Sequence, residues 1–288
     1  MLIVHAYAKV NLTLEVLGKR ADGYHQIVSV MQSIDLSDEV SFTPSNQLTL
    51  KCSVPSLETD DNLVLRAANL LKDHTGYSGG ADILLQKHIP IASGLGGGSS
   101  NAAATLGALN RLWKLDMGDE DLQSLAALLG SDVSFFLLGG TAMAERRGEE
   151  VKELPQMPTT HLVLLAPPVE IHDKTATMYN HLTSEDFSKG EAAAKLTNCL
   201  KEGKRPEANL LFNAFEEVAF DLFPPLAEYR HVMLEAGAGW VHLAGSGPAL
   251  YTFAASKAGA TTLAGTLTSA GYEAYAATTV RTSGGITP

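Results

Sequence analysis

Cysteine is scarce in this chain. Cys52 and Cys199 are the only two, far apart and in no metal-like spacing. No disulfide framework is expected, and both thiols read as reduced bystanders of a cytoplasmic protein. Positive charge is scarce too: Lys and Arg number 21 against 32 Asp and Glu, a net charge of −11. Surfaces that track nucleic acid are basic, so no nucleic-acid partner is expected. A small anionic substrate stays open if a few lysines and backbone amides are focused locally. No apolar run approaches the roughly 20 residues of a membrane span, and no basic segment followed by an apolar one opens the chain. Neither a membrane partner nor an export signal is expected. The nine histidines show no H-E-x-x-H pattern, so no structural metal is expected. Internal repeats and low-complexity segments are absent.

What is present suits a globular protein with a sizeable core. The 288 residues are 45% hydrophobic and 18% charged, enough for one large or two ordinary domains. Residues 2 to 16 alternate: Leu2, Val4, Ala6, Ala8, Val10, Leu12, Leu14 and Val16 are apolar, with polar or aromatic residues between most of them. Period two over this length predicts β structure, as one strand or two. It places Lys9 and Asn11 on one face, away from the apolar layer. Strands are predicted at 27–34, 39–43, 47–54 and 81–88. Asp60 or Asp61 is predicted to cap a helix that ends near Gly76, and Asp119 a helix that ends at Gly130. A helix is predicted at 99–112, and strands at 141–146 and 149–153. Pro155, Pro158, Pro167 and Pro168 punctuate the centre, around a buried strand from His161 to Ala166. This punctuation divides the chain into domains 1–157 and 158–288. In the second, helices are predicted near 173–182, 190–202, 207–219, 224–236 and 256–270. Its further strands are predicted at 239–244, 249–254 and 273–278. The mixture indicates an α+β sandwich.

The densest signal is Pro90-Ile91-Ala92-Ser93-Gly94-Leu95-Gly96-Gly97-Gly98-Ser99-Ser100-Asn101, between a predicted strand and a helix opening with Ala102. Strand, glycine loop and helix N-terminus make an anion site: the backbone comes close, its N–H groups point at the ligand, and the dipole favours negative charge. A phosphate chain is the natural guest; the bland alternative is a flexible surface loop. The G-x-x-x-x-G-K-[ST] loop is excluded because no lysine precedes Ser99 or Ser100. The G-x-G-x-x-G fingerprint is excluded because its sixth position, counted from Gly94, is Ser99.

The string resembles the P-x-x-x-G-L-G-S/G-S-S loop of the GHMP kinases. Ala6-Tyr7-Ala8-Lys9-Val10-Asn11-Leu12 and Leu243-Ala244-Gly245-Ser246-Gly247-Pro248-Ala249 resemble that family's first and third motifs. The extension Leu14 to His25 resembles one branch, whose members phosphorylate the 2-hydroxyl of a cytidine diphosphate-linked methylerythritol for isoprenoid synthesis. Gly130 to Phe136 and Asn209 to Asn213 resemble segments of that branch too. The resemblance spans nearly the whole chain and is weakest at 180–205 and after 279. It implies a ribosomal-S5-like N-terminal domain and a ferredoxin-like C-terminal domain, with ATP in the cleft between them.

The resemblance also implies roles. The residues around Asp132 alone read as a helix start, with Asp132 the N-cap. The family makes it the catalytic base that accepts the substrate hydroxyl proton. Lys9 alone is a solvated lysine on an exposed strand face; the family makes it the partner of that base, with Asn11 bonding substrate. The loop, Pro90 through Ser100, would hold the phosphates of ATP, and Asn62 would shape the adenine pocket or simply cap a helix. Ser99 and Ser100 would bond phosphate or Mg²⁺, or cap the helix. Mg²⁺ is expected with ATP, but no carboxylate stands out as its ligand; Asp132, or ATP and water, would hold it. Tyr24 would stack on cytosine, His25 would read the base edge, and Tyr179 would be the second aromatic of the sandwich or a helix-core tyrosine. Another small-molecule GHMP kinase, acting on homoserine or mevalonate, and a non-catalytic nucleotide- or RNA-binding module are the competing readings. The Asp22-Gly23-Tyr24-His25 string disfavours the first, and the net charge with the Lys9/Asp132 pair disfavours the second. The oligomeric state is not legible.

Overall fold

The computed structural model describes residues 1–169, 174–281 and 286–287. The alternating N-terminal segment is a single strand, β1 (Leu2–Lys19), paired antiparallel with β2 (His25–Ser45). The strands predicted at 27–34 and 39–43 are both parts of β2; no turn chemistry separates them. β1 stays in one sheet by bulging. Register shifts fall at Tyr7/Ala8, Asn11/Thr13 and Val16/Gly18. At the first two, its apolar residues change clusters: Leu2, Val4 and Ala6 pack in one, Ala8, Val10 and Leu12 in a second, Leu14 and Val16 in a third. Each bulge re-aims the following side chains.

β3 (Leu48–Cys52), α1 (Leu63–Thr75) and β4 (Gly80–Gln86) follow. α1 is capped by Asn62, whose Oδ1 accepts the Val64 N–H at 2.9 Å, not by Asp60 or Asp61. It stops at Gly76, which takes a left-handed φ of 68° and is free to do so without a Cβ. The glycine loop leads into α2 (Gly97–Leu112), two residues earlier than predicted, with Gly96 as N-cap. Next come α3 (Asp119–Leu129), α4 (Ser131–Leu138), β5 (Thr141–Arg146) and β6 (Glu150–Glu153). Gly118 rather than Asp119 is the N-cap of α3, which leaves Asp119 in the first turn beside Glu120 and Asp121, where the helix dipole favours acids.

β7 (His161–Leu165) opens the second half, followed by α5 (Lys174–His181) and α6 (Glu191–Lys201). Residue 173 of the helix predicted at 173–182 lies outside the described residues. The helix predicted at 207–219 does not form as such. A short 3-10 turn at Ala208–Leu210 leads instead to a two-residue strand, β8 (Phe212–Asn213), before α7 (Glu216–Leu222). Phe212 and Asn213 are taken by pairing parallel to Thr13 and Leu14 of β1, a tertiary demand that outweighs helix propensity. α8 (Pro224–Glu235), β9 (His242–Leu243), β10 (Leu250–Ala254), α9 (Lys257–Ser269), β11 (Ala274–Thr278) and β12 (Ile286–Thr287) complete the order.

Among the described residues, one eight-stranded sheet runs β12-β1-β2-β4-β3, with β5 on β2, β6 on β5 and β8 on β1. A separate four-stranded antiparallel sheet runs β11-β7-β10-β9, the order of a ferredoxin-like unit. β8 and β12 thus carry the second half back onto the first sheet. We keep the division at 157/158 as a proposal, since β7, the first strand of the second sheet, begins at His161.

A candidate kinase cleft

The loop, the start of α4, the middle of β1 and the start of α5 surround a cavity of about 900 Å³. Lys9 and Asn11 line it from β1. They share a face, as predicted, but that face is buried rather than solvated: Lys9 is 3% and Asn11 4% exposed. Lys9 Nζ donates to Asn11 Oδ1 at 2.6 Å and stands 3.5 Å from Asp132 Oδ2. Asn11 is fixed in turn, because its Nδ2 donates to Ser29 Oγ at 2.8 Å and Ser29 donates to the Thr13 carbonyl. Asp132 does not cap α4. Gly130 is the N-cap, and Asp132 lies in the first turn with its side chain 39% exposed toward the cavity. One carboxylate oxygen thus meets a buried ammonium while the group stays open to a ligand. That is the arrangement a proton acceptor needs.

The glycine loop is built for close approach. Gly96 has φ +76°, and a Cβ there would lie 2.6 Å from the Phe136 ring and 3.2 Å from Lys9 Cγ. Gly94 backs onto the third glycine turn: a Cβ there would lie 2.1 Å from the Ala244 carbonyl oxygen. The loop and that turn are stitched by the Ala249 N–H donating to the Ser93 carbonyl at 2.9 Å. Pro90, Ile91, Ala92, Ser93, Gly94, Gly96, Gly97, Gly98 and Ser99 all line the cavity. Leu95 and Ser100 do not. The Leu95 side chain is fully buried and its carbonyl accepts the Lys9 N–H at 3.0 Å, so it anchors the loop to β1. Ser100 is buried and donates to the Tyr7 carbonyl at 2.6 Å, so its hydroxyl is committed to the fold. Asn62 lines the cavity and caps α1 as well, so the two readings of this residue are compatible.

At the other end, the turn before β2 is locked by Arg20, which forks Asp22, while Asp22 Oδ1 accepts the Tyr24 N–H at 3.1 Å. This leaves Tyr24 57% exposed, with the Arg147 guanidinium 4.9 Å over its ring. The ring that lies on Tyr179 is the His25 imidazole, 4.7 Å away and within 14° of parallel. Tyr24 and Tyr179, the two residues expected to sandwich a base, both line this end of the cavity. Tyr179 gives a face to His25 and its edge to Phe215. Burial, with Asp132 nearby, pushes the Tyr179 phenol pKa up, so it stays protonated. Burial and the Lys19 charge hold the His25 imidazole below its ordinary range.

Four contributors were not singled out from the sequence. Lys87 lines the cavity and pairs with fully buried Asp38, which also accepts the His88 and Ile89 N–H groups at the entrance to the loop. Asn213 Nδ2 donates to the Leu243 and Gly245 carbonyls at 3.0 and 2.8 Å and so holds the third glycine turn. Arg147 covers Tyr24, and Lys174 enters from α5. Asn213 closes a segment already matched to the family. Lys87 stands two residues before Ile89, where the strand enters the loop. Nothing in the local pattern marks Lys174.

Two family descriptions match the chain: GHMP kinases N terminal domain over residues 62–140 and GHMP kinases C terminal over 192–273. A 4-diphosphocytidyl-2-C-methyl-D-erythritol kinase of Dehalococcoides mccartyi is 44% identical over 97% of this chain and 99% of its own. The chain belongs to the GHMP kinases. Within them it falls on the 4-diphosphocytidyl-2-C-methyl-D-erythritol kinase branch. A relative of that name in Pelotomaculum thermopropionicum is 43% identical over 85% of this chain and 86% of its own. A crystal structure of 4-(cytidine 5'-diphospho)-2C-methyl-D-erythritol kinase superimposes with a TM-score of 0.83 at 36% identity, covering 96% of this chain and 98% of its own. The two-domain GHMP kinase fold expected from the motifs is thereby shown. Membership of this kinase family makes ATP the co-substrate. Among the described residues no helix is long and apolar enough to cross a membrane.

Proposed function

We propose that this chain transfers the γ-phosphoryl group of ATP to the 2-hydroxyl of 4-diphosphocytidyl-2-C-methyl-D-erythritol, in the non-mevalonate route to isoprenoid precursors, within the cytoplasm. The observation that carries the reading is the Lys9–Asp132 pair facing the same cavity as the N-terminus of α2. Phosphates would rest on the N–H groups of the loop and of the first turn of α2. The substrate hydroxyl would be set between Asp132, Lys9 and Asn11. As the hydroxyl oxygen bonds to the γ-phosphorus, its proton passes to Asp132, the bond from phosphorus to the β,γ-bridging oxygen breaks, and ADP departs. Lys9, already desolvated and held by Asn11, offsets charge on the reacting oxygens without reorganising.

Mg²⁺ fits this cleft only as a passenger of ATP. Among the described residues no group of three His, Cys, Asp or Glu could hold a metal ion. Ser99 at the start of α2 and Asp132 are among the side-chain oxygens that line the cavity, and Mg²⁺ keeps most of its shell as phosphate and water. When bound it would bridge and neutralise the phosphates.

Tyr24, His25 and Tyr179 form the end of the cavity assigned to cytosine. The neutral imidazole favoured by burial offers both a donor and an acceptor to a base edge. The decisive assay incubates the purified chain with ATP, Mg²⁺ and each candidate alcohol, following ADP release and the phosphorus NMR of the product. The reading requires a product phosphorylated at the 2-hydroxyl of the cytidine substrate. Equal or faster turnover of homoserine or mevalonate would overturn it.

A further inference from the structure

Lys174 is the first residue of α5, and its ammonium reaches across the cleft. Nζ donates to the Ala92 carbonyl of the phosphate loop at 2.7 Å and to the Gly247 carbonyl of the third glycine turn. The next residue repeats the connection, with Thr175 Oγ1 3.2 Å from Ser246 Oγ. No described carboxylate lies within 4.0 Å of Lys174 Nζ. An ammonium partly withdrawn from water without a counter-charge is costly, and the charge it faces, Lys9, is of its own sign. Two carbonyl dipoles solvate it instead. These carbonyls belong to the two glycine turns that approach one another at Gly94, where a Cβ would lie 2.9 Å from the Gly247 oxygen. α5 also carries Tyr179, stacked on His25, so one short helix touches the phosphate loop at its start and the aromatic end of the cavity further along.

We infer that Lys174 is a positioning residue for phosphoryl transfer: its ammonium pins the phosphate loop to the third glycine turn and adds a second cation beside Lys9 to the anion-binding end of the cleft. The inference rests on the kinase reading above. Phosphate chains entering the cleft bring the counter-charge that Lys174 lacks, so the pinned arrangement is most favourable with nucleotide bound. The geometry also makes the role sensitive to pH. Burial and the Lys9 charge push the Lys174 pKa down to about 8, so the ammonium is present below that pH and is lost above it. On deprotonation the amine keeps two N–H donors but loses the charge that strengthens both bonds and attracts phosphate.

The test is steady-state kinetics of the wild-type chain, Lys174→Met and Lys174→Arg from pH 6.5 to 9.5, with circular dichroism confirming that each variant folds. The wild type should lose activity as pH rises through about 8. Lys174→Met should lower kcat/KM for ATP by roughly 10–100-fold at pH 7, the scale of a small misplacement in a reacting site. Lys174→Arg, charged throughout the range, should recover much of that loss and lack the limb near pH 8. A limb that persists unchanged in Lys174→Arg, or wild-type constants in Lys174→Met, would overturn the inference. A wild-type chain with no kinase activity would instead overturn the reading on which it rests. Because Lys174→Met could disturb the loop by shape alone, the pH limb in Lys174→Arg is the readout that separates charge from packing.

Discussion

Asp132 Oδ2 and Lys9 Nζ stand 3.5 Å apart, one on a helix and the other on the first strand of the chain. Neither position is set by the other's neighbourhood. Lys9 is held by Asn11 and by the Leu95 carbonyl on its backbone, Asp132 by the abrupt start of α4 after Gly130. Each member of the pair is therefore held by its own protein contacts. Asp132→Asn keeps the shape and removes the proton acceptor. It should leave ATP affinity within a few-fold and lower kcat by roughly 10²–10⁴, the usual contribution of a general base. Near-normal turnover of the folded variant would remove Asp132 from that role.

The loop glycines differ in what they can tolerate. Gly97 is helical, and a Cβ there would lie 3.1 Å from Ile89 Cγ2 and 3.1 Å from Lys87 Nζ. Gly96 adds a positive φ and a clash with Phe136, so Gly96→Val threatens the fold itself. Gly97→Val is the cleaner probe. Its branched side chain crowds the start of α2, so ATP affinity should fall below detection while cytidine diphosphate still binds. Calorimetry with each ligand separately checks this, and unchanged ATP binding would show that the phosphates lie elsewhere.

Asn213 makes a prediction about stability. Its amide holds the Leu243 and Gly245 carbonyls, and its Oδ1 accepts the Phe215 N–H at 3.0 Å. Asn213→Ala leaves buried groups without partners and should cost about 1–3 kcal/mol in urea denaturation. Gly245 is close enough that a Cβ on it would lie 3.1 Å from Lys9 Nζ, so kcat should fall with stability. A variant as stable and as active as the wild type would mean that the turn needs no such brace.

How much of this was legible beforehand depends on how local each cause is. The alternation of β1, the stop at Gly76 and the passage from strand through glycine loop to helix are written in neighbouring residues, and the structure has all three. Alternation shows that Lys9 and Asn11 share a face but not what covers it. Here the loop and α4 close over that face. Ser100 could not be separated from Ser99 by composition; only the Tyr7 carbonyl, far away in sequence, takes its hydroxyl. Phe212 and Asn213 sit in a locally helical pattern, and the pairing with β1 that overrides it is non-local. Lys174 left no trace, since both of its partners are backbone carbonyls, which any sequence supplies.

His25 offers a titration. Its pKa is lowered from the ordinary 6.5 by burial and by Lys19. The imidazole is therefore neutral at pH 7, and whatever stability that neutrality contributes is fully present above 6.5. As pH falls below 6.5 the unfolded chain takes the proton first, so that contribution declines until the folded imidazole is protonated too. Proton NMR of the ring should give a midpoint below 6.5. Lys19→Ala should move the midpoint upward without restoring it fully, because burial is the larger cause. A wild-type midpoint at or above 6.5 would mean that the stack on Tyr179 does not desolvate the ring.

Tyr24 decides which nucleotide lies at the far end of the cleft. It is 57% exposed, backed by the Asp22 turn, and its ring is met only by the Arg147 guanidinium at 4.9 Å among the ring contacts of the described residues. An exposed aromatic held this firmly, beside a cavity, has the form that base stacking needs, and the proposed function gives it that role. A cytosine arriving there would displace Arg147 or slide against the opposite face of the ring. Losing a base–aromatic stack costs on the order of 1–3 kcal/mol, or roughly 5–150-fold in affinity. Tyr24→Ala should raise KM for the cytidine substrate by that factor and leave KM for ATP nearly unchanged. Tyr24→Phe should behave like the wild type, because the ring and not the hydroxyl makes the stack. The loss should fall on KM more than on kcat, since the base is remote from the transferred phosphoryl group and is bound alike in ground and transition states. Kinetics of both variants, varying each substrate in turn, check the assignment. If Tyr24→Ala weakened ATP and spared the cytidine substrate, the two nucleotides would have to exchange ends of the cleft, and the α2 terminus would lose its assignment to ATP.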